Sequence, residues 1–361
     1  LLIFAFFNFF YPYHLHYQEQ LQFFRFSSDY FLESVAAPGG FGDWITGFLV
    51  QFFYYAPAGA LILAALLGLI QLLTSKLMER GSFGSYPLSF LPAIAMFLFL
   101  GGEENLVTAV VALAAALAAA FGIMKIRKSG LRYIIAVALI PVLYMLFGSI
   151  SFITPVVVGI NSALRKEDSK QTVTFAVAMV LMAAAAIIII RHCVPYPYSR
   201  LLYGVHYHRF SYAFPLLAWV SVFFVPVAIL SAAAIRKDRA FVFTAAIAIL
   251  LGAGLTPVFT DMNKELHFGY DFMVRMGQWN KILATTDKKK PESPITTECT
   301  NLALAKTGHL ASDMFAFYQN GTAGLLPKYV RDHFSPGPTG TVYYHLGMIN
   351  TAQTFFFEAQ E

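Results

Sequence analysis

The sequence predicts an all-α protein in two parts. One is a polytopic transmembrane helical bundle of about nine spans over residues 1–260; the other is a soluble α-helical, repeat-like domain over residues 261–361. Three observations predict this. Hydrophobic residues make up 58% of the chain and charged residues only 12%, about half the charge of an ordinary soluble domain, and the mean hydropathy is +0.61. The charges sit between long stretches that have none. After Thr260 the composition turns abruptly to ordinary soluble sequence.

The stretches define the spans. No Asp, Glu, Lys, Arg or His interrupts residues 44–75, 81–102, 105–124, 133–164, 171–190, 210–235 or 240–260, and a bilayer needs roughly 20 apolar residues per helix. Residues 1–13 read as the outer end of one more span, and an opening Leu inside an apolar run predicts that further residues precede it. A secretory signal fits less well, because no basic n-region or small-residue cleavage site is visible. Residues 133–164 are too long for one crossing: as a single helix they would run about 48 Å. Gly148-Ser149-Ile150-Ser151 lies at their middle and Pro155 follows, so a helical hairpin is expected.

Loop charge supports the hairpin, since short loops rich in Lys and Arg stay cytoplasmic. With it, the inner loops hold Lys76, Arg80, Lys125, Arg127, Lys128, Arg132, Arg165, Lys166, Lys170, Arg236, Lys237 and Arg239, twelve in all, against Arg25, Arg191, Arg200 and Arg209, four, outside. A single crossing would reduce this to nine against seven. The expected topology has the N-terminus in and the C-terminal part out. The loops at residues 14–43 and 191–209, the turn at Glu103-Glu104 and everything after Thr260 then share the outer side.

In the tail, Gly277-Gln278-Trp279, Gly308-His309-Leu310 and Gly347-Met348-Ile349 each follow a helical pattern. Their spacing, near 34 residues, is that of paired-helix repeats. Leu346-Gly347, Ala352, Phe356 and Ala359 hold small and large positions in the manner of a tetratricopeptide repeat. An irregular helical domain accounts for the pattern equally well. No stop signal precedes Glu361, and stacked repeats need neighbours to bury their faces, so further repeats are expected beyond it.

Known catalytic signatures are absent from the sequence. Neither Cys193 nor Cys299 has a second metal ligand at a recognised spacing, so no metal site is expected; both fall outside, where a disulfide can persist. There is no phosphate-binding Gly loop, zincin helix or nucleophile elbow, and nothing that points to nucleic acid.

What remains is the outer face. His14-Leu15-His16-Tyr17-Gln18-Glu19-Gln20-Leu21-Gln22 follows directly on an apolar stretch. Glu19 is the candidate catalytic base, because a carboxylate near a low-dielectric surface has its proton affinity raised towards neutrality. His16, Tyr17 and Gln18 are candidate substrate-binding neighbours. A helix-end carboxylate needs no substrate and explains Glu19 as well. Asp29 and Glu33 fit the wet face of an interfacial helix in which Leu21, Phe24, Phe31 and Leu32 are apolar, and Trp44 anchors the entry to the next span. The second outer loop is basic and aromatic, with Arg191, Arg200, His206, His208 and Arg209 as candidates to hold a lipid phosphate by charge-assisted hydrogen bonds. An aromatic belt with snorkelling arginines needs no ligand.

The layout resembles the GT-C superfamily of membrane glycosyltransferases: a first helix, an outer loop opening on a carboxylate motif, an interfacial helix, a Pro-containing turn, several spans and an outer C-terminal domain. The motif-level match is Glu19, where those enzymes place a loop-one Asp or Glu; their usual Asp-Glu pair stands here as Gln18-Glu19. His16-Tyr17-Gln18-Glu19-Gln20 with Pro38-Gly39-Gly40, and later Asn301-Leu302-Ala303-Leu304-Ala305-Lys306-Thr307-Gly308, also look like an uncharacterised bacterial inner-membrane family with a tetratricopeptide-like periplasmic tail. The resemblance implies transfer of a sugar from a polyprenyl-phosphate donor to a periplasmic acceptor, with Glu19 deprotonating the acceptor and the 191–209 loop holding the leaving phosphate. The tail would recruit a protein or glycan partner. No cofactor is required, and use of a divalent metal is left open. Two other readings stand beside it. One is a non-enzymatic membrane-anchored scaffold; the other is a lipid or solute transporter, which the lack of ionisable residues within the spans disfavours.

Overall fold

A computed structural model of the chain describes residues 1–203, 214–235, 237–328, 330 and 334–360, and every regular element among them is helical. The chain divides into two compact units, Leu1–Asp261 and Met262–Glu361.

The first unit opens with α1 (Leu2–Ala5), a π-helical turn (Phe6–Phe10), α2 (Pro12–Leu21), α3 (Ser28–Val35) and α4 (Gly40–Val50). Then come α5 (Ala56–Leu77), α6 (Leu91–Phe99), α7 (Thr108–Met124), α8 (Ser129–Phe147), α9 (Ile153–Leu164), α10 (Ser169–Cys193), α11 (Tyr198–Tyr203), α12 (Leu216–Ala234) and α13 (Phe241–Phe259). Among the described residues, five helices are long and apolar enough to cross a membrane: Ala56–Leu77, Ser129–Phe147, Ser169–Cys193, Leu216–Ala234 and Asp238–Phe259. Phe83–Phe99, Thr108–Met124 and Ser149–Leu164 are apolar but shorter. Alanine-rich α7 is buried along most of its length and packs against α4, α5, α8 and α9, since small side chains let helix backbones approach closely.

One expected span is broken, and the stretch expected to form a hairpin does reverse. Residues 44–75 are not one helix: α4 runs into a 3-10 turn (Gln51–Tyr54), Tyr55 is extended, and α5 restarts with Pro57 in its first turn. Proline has no N–H to continue the preceding ladder, so the helix must stop and begin again. Only Ala56–Leu77 is left as a span, and α4 becomes part of the bundle end. Residues 133–164 break at Gly148, whose φ of 72° and ψ of −166° suit only glycine. The chain then turns back through a 3-10 turn (Ser149–Phe152) into α9.

Hydrogen bonds fix that reversal. Arg132 at the start of α8 is paired with Glu167 beyond α9, Tyr133 Oη donates to Glu167 Oε2 at 2.9 Å, and Ser129 Oγ donates to Gln171 Oε1 at 3.2 Å. Arg165 Nε donates to Glu79 Oε2 at 2.8 Å, and Ser82 Oγ to the Ile235 carbonyl at 2.9 Å. The cation-rich turns after α5, α7, α9 and α12 therefore meet at one end of the unit. At the other end, Gly39 N–H donates to Met145 O at 2.8 Å and Tyr144 Oη to Leu201 O at 2.9 Å.

The second unit contains α14 (Met262–Arg275), α15 (Trp279–Lys288), α16 (Pro294–Thr307), α17 (Leu310–Asp313), α18 (Pro336–His345) and α19 (Ile349–Gln360). The three glycine fragments seen in the sequence are three helix C-caps of one kind. Gly277, Gly308 and Gly347 have φ of 62°, 82° and 79°. Behind each, an i→i−5 bond closes the turn: Gln278 N–H to Met273 O, His309 N–H to Leu304 O and Met348 N–H to Tyr343 O, at 2.8, 2.8 and 3.0 Å. These are Schellman turns, which reverse a helix into a following one. The middle pair departs from a regular repeat, because α17 has only four residues. Asn320 and Gly321 are both left-handed, and Asn301 Nδ2 holds Gln319 Oε1 and Gly324 O at 2.7 Å each, so the chain is tied down as an irregular segment on α16. The core of the unit is Tyr270, Met273, Val274, Ile282, Cys299, Leu302, Ala303 and Val342. Among the described residues, exposed Cys193 and buried Cys299 are both free thiols.

Candidate functional site

The segment around Glu19 is a helix rather than a wet loop. Pro12 supplies a preset φ at its first turn, and Gln22, extended, ends it. His14, Leu15, His16, Tyr17 and Gln18 are all buried, so three of the expected substrate-binding side chains point into protein. Their partners lie far along the chain. Gln18 Nε2 donates to the Glu103 carbonyl at 2.7 Å and Tyr11 Oη donates to the Gly101 carbonyl at 3.2 Å, while the Asp261 N–H donates to Tyr11 Oη at 3.2 Å. Gln18 is only 2% exposed, yet its Oε1 has no hydrogen-bond partner among the described residues. His14 stacks on Tyr11 with ring centroids 4.7 Å apart. Burial pushes its pKa down to about 4, against the opposing effect of a backbone hydrogen bond at Leu100, so the imidazole is neutral near pH 7. Glu19, one residue beyond Gln18, is half-buried at the rim.

The residues that follow, up to Trp44, pack through aromatic contacts. Ser27 caps α3 by accepting from the Tyr30 N–H at 3.3 Å, and Asp29 and Glu33 are exposed, as is Leu32 of the expected apolar face, at 63%. The turn at Pro38-Gly39-Gly40 sets α4 against the α8 break. Gly39 has φ of 84°, and a Cβ there would lie 3.5 Å from Gly148 N, backbone against backbone. Trp44 on α4 packs edge-on to Phe31 at 5.2 Å and lies 5.6 Å from Phe24. Asp43, in the first turn of α4, is partly buried beside it.

Arg191 and Arg200 belong to a different contact set. Arg191 lies over the Tyr198 ring at 5.9 Å and donates to Val194 O at 3.4 Å, a local stack at the end of α10. Leu201 packs with Tyr144, Ala186 and Ile187, which seats residues 194–203 on α8, α10 and the 149–152 turn. The contacts of α2 run instead to α5, the 51–54 turn and the 101–103 turn. Among the described residues, both segments touch the α8–α9 reversal, through Gly39 and Leu201. His206, His208 and Arg209 lie outside the described residues. Among the described residues, no group of three or more His, Cys, Asp and Glu side chains is placed to hold a metal ion.

Three groups that complete the site escaped the sequence reading: the Tyr11 hydroxyl, the carbonyls of the 101–103 turn and the Asp261 amide. Separations of 85 to 250 residues hide them. The one available signal was the acidic Glu103-Glu104 turn, already placed on the same side as Glu19.

Residues 1–361 match, in full, a family described as "Family of unknown function (DUF6057)". The chain belongs to the DUF6057 family. No curated protein and no solved structure matches it. In this DUF6057 chain, a half-buried carboxylate stands at the bundle end on a helix anchored at three places.

Proposed function

We propose that this is an integral membrane glycosyltransferase-like protein, acting at the bundle end that carries Glu19 on a polyprenyl-phosphate sugar donor and an acceptor from the adjoining aqueous side. One observation carries the reading: Glu19 is held at the rim of a helix whose preceding residues are buried and bonded to the 101–103 turn. A solvated loop carboxylate has no such anchoring. Proximity and fixed orientation are what a general base needs. In the proposed step the Glu19 carboxylate takes the acceptor hydroxyl proton. The acceptor oxygen forms a bond to the sugar anomeric carbon, whose bond to the phosphate oxygen breaks, and the phosphate leaves with that electron pair. Arg191 and Arg200 lie in the segment proposed to meet the phosphate. His16, Tyr17 and Gln18 act as positioning residues, through the buried side of α2. The side in question is the periplasm of a bacterial inner membrane, about nine segments cross, and the helical tail presents tetratricopeptide-like pairs to a protein or glycan partner.

The experiment is Glu19→Gln, expressed at the wild-type level in cells lacking the native copy, with glycolipid and glycoprotein profiles read by mass spectrometry. Loss of one class of glycoconjugate is expected. An unchanged profile removes Glu19 from catalysis. A scaffold reading draws on the second unit, which has a hydrophobic core of its own. It predicts that removing residues 262–361 abolishes the cellular phenotype while Glu19→Gln leaves it intact.

A further inference from the structure

At the cation-rich end the charges are not evenly spread. Lys125, Arg127 and Lys128 occupy the turn between α7 and α8, and Lys170 lies in the first turn of α10. The Ser129–Gln171 hydrogen bond, 3.2 Å, and the Tyr133–Thr172 contact between hydroxyls, 3.2 Å, hold those two places side by side. All four cations are exposed, and none makes an ion pair among the described residues. The nearby acids are accounted for. Glu167 is bound to Arg132 and Tyr133, and Asp168 is turned onto its own helix end, accepting from the Lys170 N–H at 3.0 Å. Four cations therefore face one exposed carboxylate. Directly along the helices from this corner, α8 and α10 expose apolar side chains, Leu131 and Val173. Lys125 lies over the Phe121 ring at 4.5 Å, an ammonium held at an apolar margin.

We propose that this corner is a binding site for an anionic phospholipid. The phosphate headgroup lies among Lys125, Arg127, Lys128 and Lys170, and an acyl chain runs along the Leu131–Val173 face between α8 and α10. A cluster of cations set immediately above an apolar interhelical face matches an anionic lipid in both its parts. A soluble phosphate compound would use the cations and leave the apolar face idle. The site is independent of any chemistry at Glu19.

The test uses the full chain in detergent micelles, titrated with phosphatidylglycerol, phosphatidylethanolamine or inorganic phosphate and read by native mass spectrometry. A corner variant, K125Q/R127Q/K128Q/K170Q, is compared with a control that neutralises four cations of the same end outside the corner, K76Q/R80Q/K237Q/R239Q. The expected result is retention of phosphatidylglycerol by the wild type and the control, and a loss of roughly tenfold or more in the corner variant, with phosphatidylethanolamine unaffected. Equal loss in both variants would overturn the site in favour of diffuse charge. Undiminished phosphatidylglycerol in the corner variant, or phosphate competing as well as the lipid, overturns it as well. Should the quadruple variant unfold, R127K/K128R, which keeps the charge, must retain the lipid and R127Q/K128Q must lose it.

Discussion

Replacing Glu298 by Gln removes a buried acid that the tail holds in its protonated form. Glu298 on α16 is 4% exposed, and its Oε2 has no hydrogen-bond partner among the described residues. Burial raises its pKa from 4.5 to about 8. The folded state thus keeps a proton that the unfolded chain has already released. The contribution to stability is complete below the unfolded value and is lost as pH rises through the window from 4.5 to about 8. The slope is about 1.4 kcal/mol per pH unit for one group, so the whole window amounts to roughly 4–5 kcal/mol as an upper figure. Gln cannot ionise, so the variant should match the wild type to within about 1 kcal/mol at pH 5 and exceed it by a few kcal/mol at pH 8. The assay is hydrogen exchange of peptides from residues 262–360 in the full chain, in detergent, corrected for intrinsic rates. Asp271, raised by burial, adds a slope of its own that wild type and variant share, and the Cys299 thiol, raised well above its ordinary value by burial and by Glu298, stays protonated throughout this window. Equal pH slopes in the two proteins would refute the reasoning.

Three further outcomes are expected at the bundle. Arg132→Ala removes a guanidinium that is only 1% exposed and leaves Glu167, 18% exposed, with Tyr133 as its donor, so a cost of about 1–3 kcal/mol is expected; an unchanged Tm would contradict this. Burial pushes the Glu167 carboxyl up, but hydrogen bonds from Arg132 and Tyr133 outweigh it and hold the group below its ordinary range. Its contribution is therefore present above that range and lost as pH falls through the lowered value, so Glu167→Gln should flatten the acid side of a Tm-versus-pH curve. Gly39→Ala should cost roughly 1–2 kcal/mol from the left-handed backbone alone, because its Cβ meets only ordinary contacts. Gly40→Ala should cost more, since its Cβ would fall 1.7 Å from Ser34 O; thermal unfolding of the pair tests the order.

Much of the bundle was legible because ionisable residues punctuate it. Glu79, Arg132, Arg165 and Glu167 sit where helices end; Arg132 and Glu167 pair to close the α8–α9 reversal, and Arg165 and Glu79 tie α9 to the end of α5. Gly148 marked that reversal in the sequence. The break at Tyr55 was harder to see, because Pro57 lies within an unbroken apolar run and hydropathy does not register a missing N–H. The Glu19 segment was legible in its chemistry but not in its burial: two His and three Gln near one Glu read as wet, and the distant Glu103 carbonyl is what receives the buried Gln18. In the tail, glycines after helical patterns revealed all three caps. The truncation of α17 was hidden, since Leu310-Ala311-Ser312-Asp313 begins like the helices after Trp279 and Ile349, and what stops it is the grip of Asn301 on residues 319 and 324.

The bond between the Asp261 N–H and the Tyr11 hydroxyl joins residues 250 positions apart. It sets a clock on biosynthesis. At about 5–20 residues per second, roughly 12–50 s separate the emergence of the first partner from that of the second. Throughout that interval the opening segment lacks one of its three anchors, and the Glu19 helix can reach its final setting only when the last helix of the bundle has been made. A nascent chain stalled before residue 261 would carry every loop carboxylate of the site without its finished geometry, which separates the birth of the membrane helices from the birth of the site.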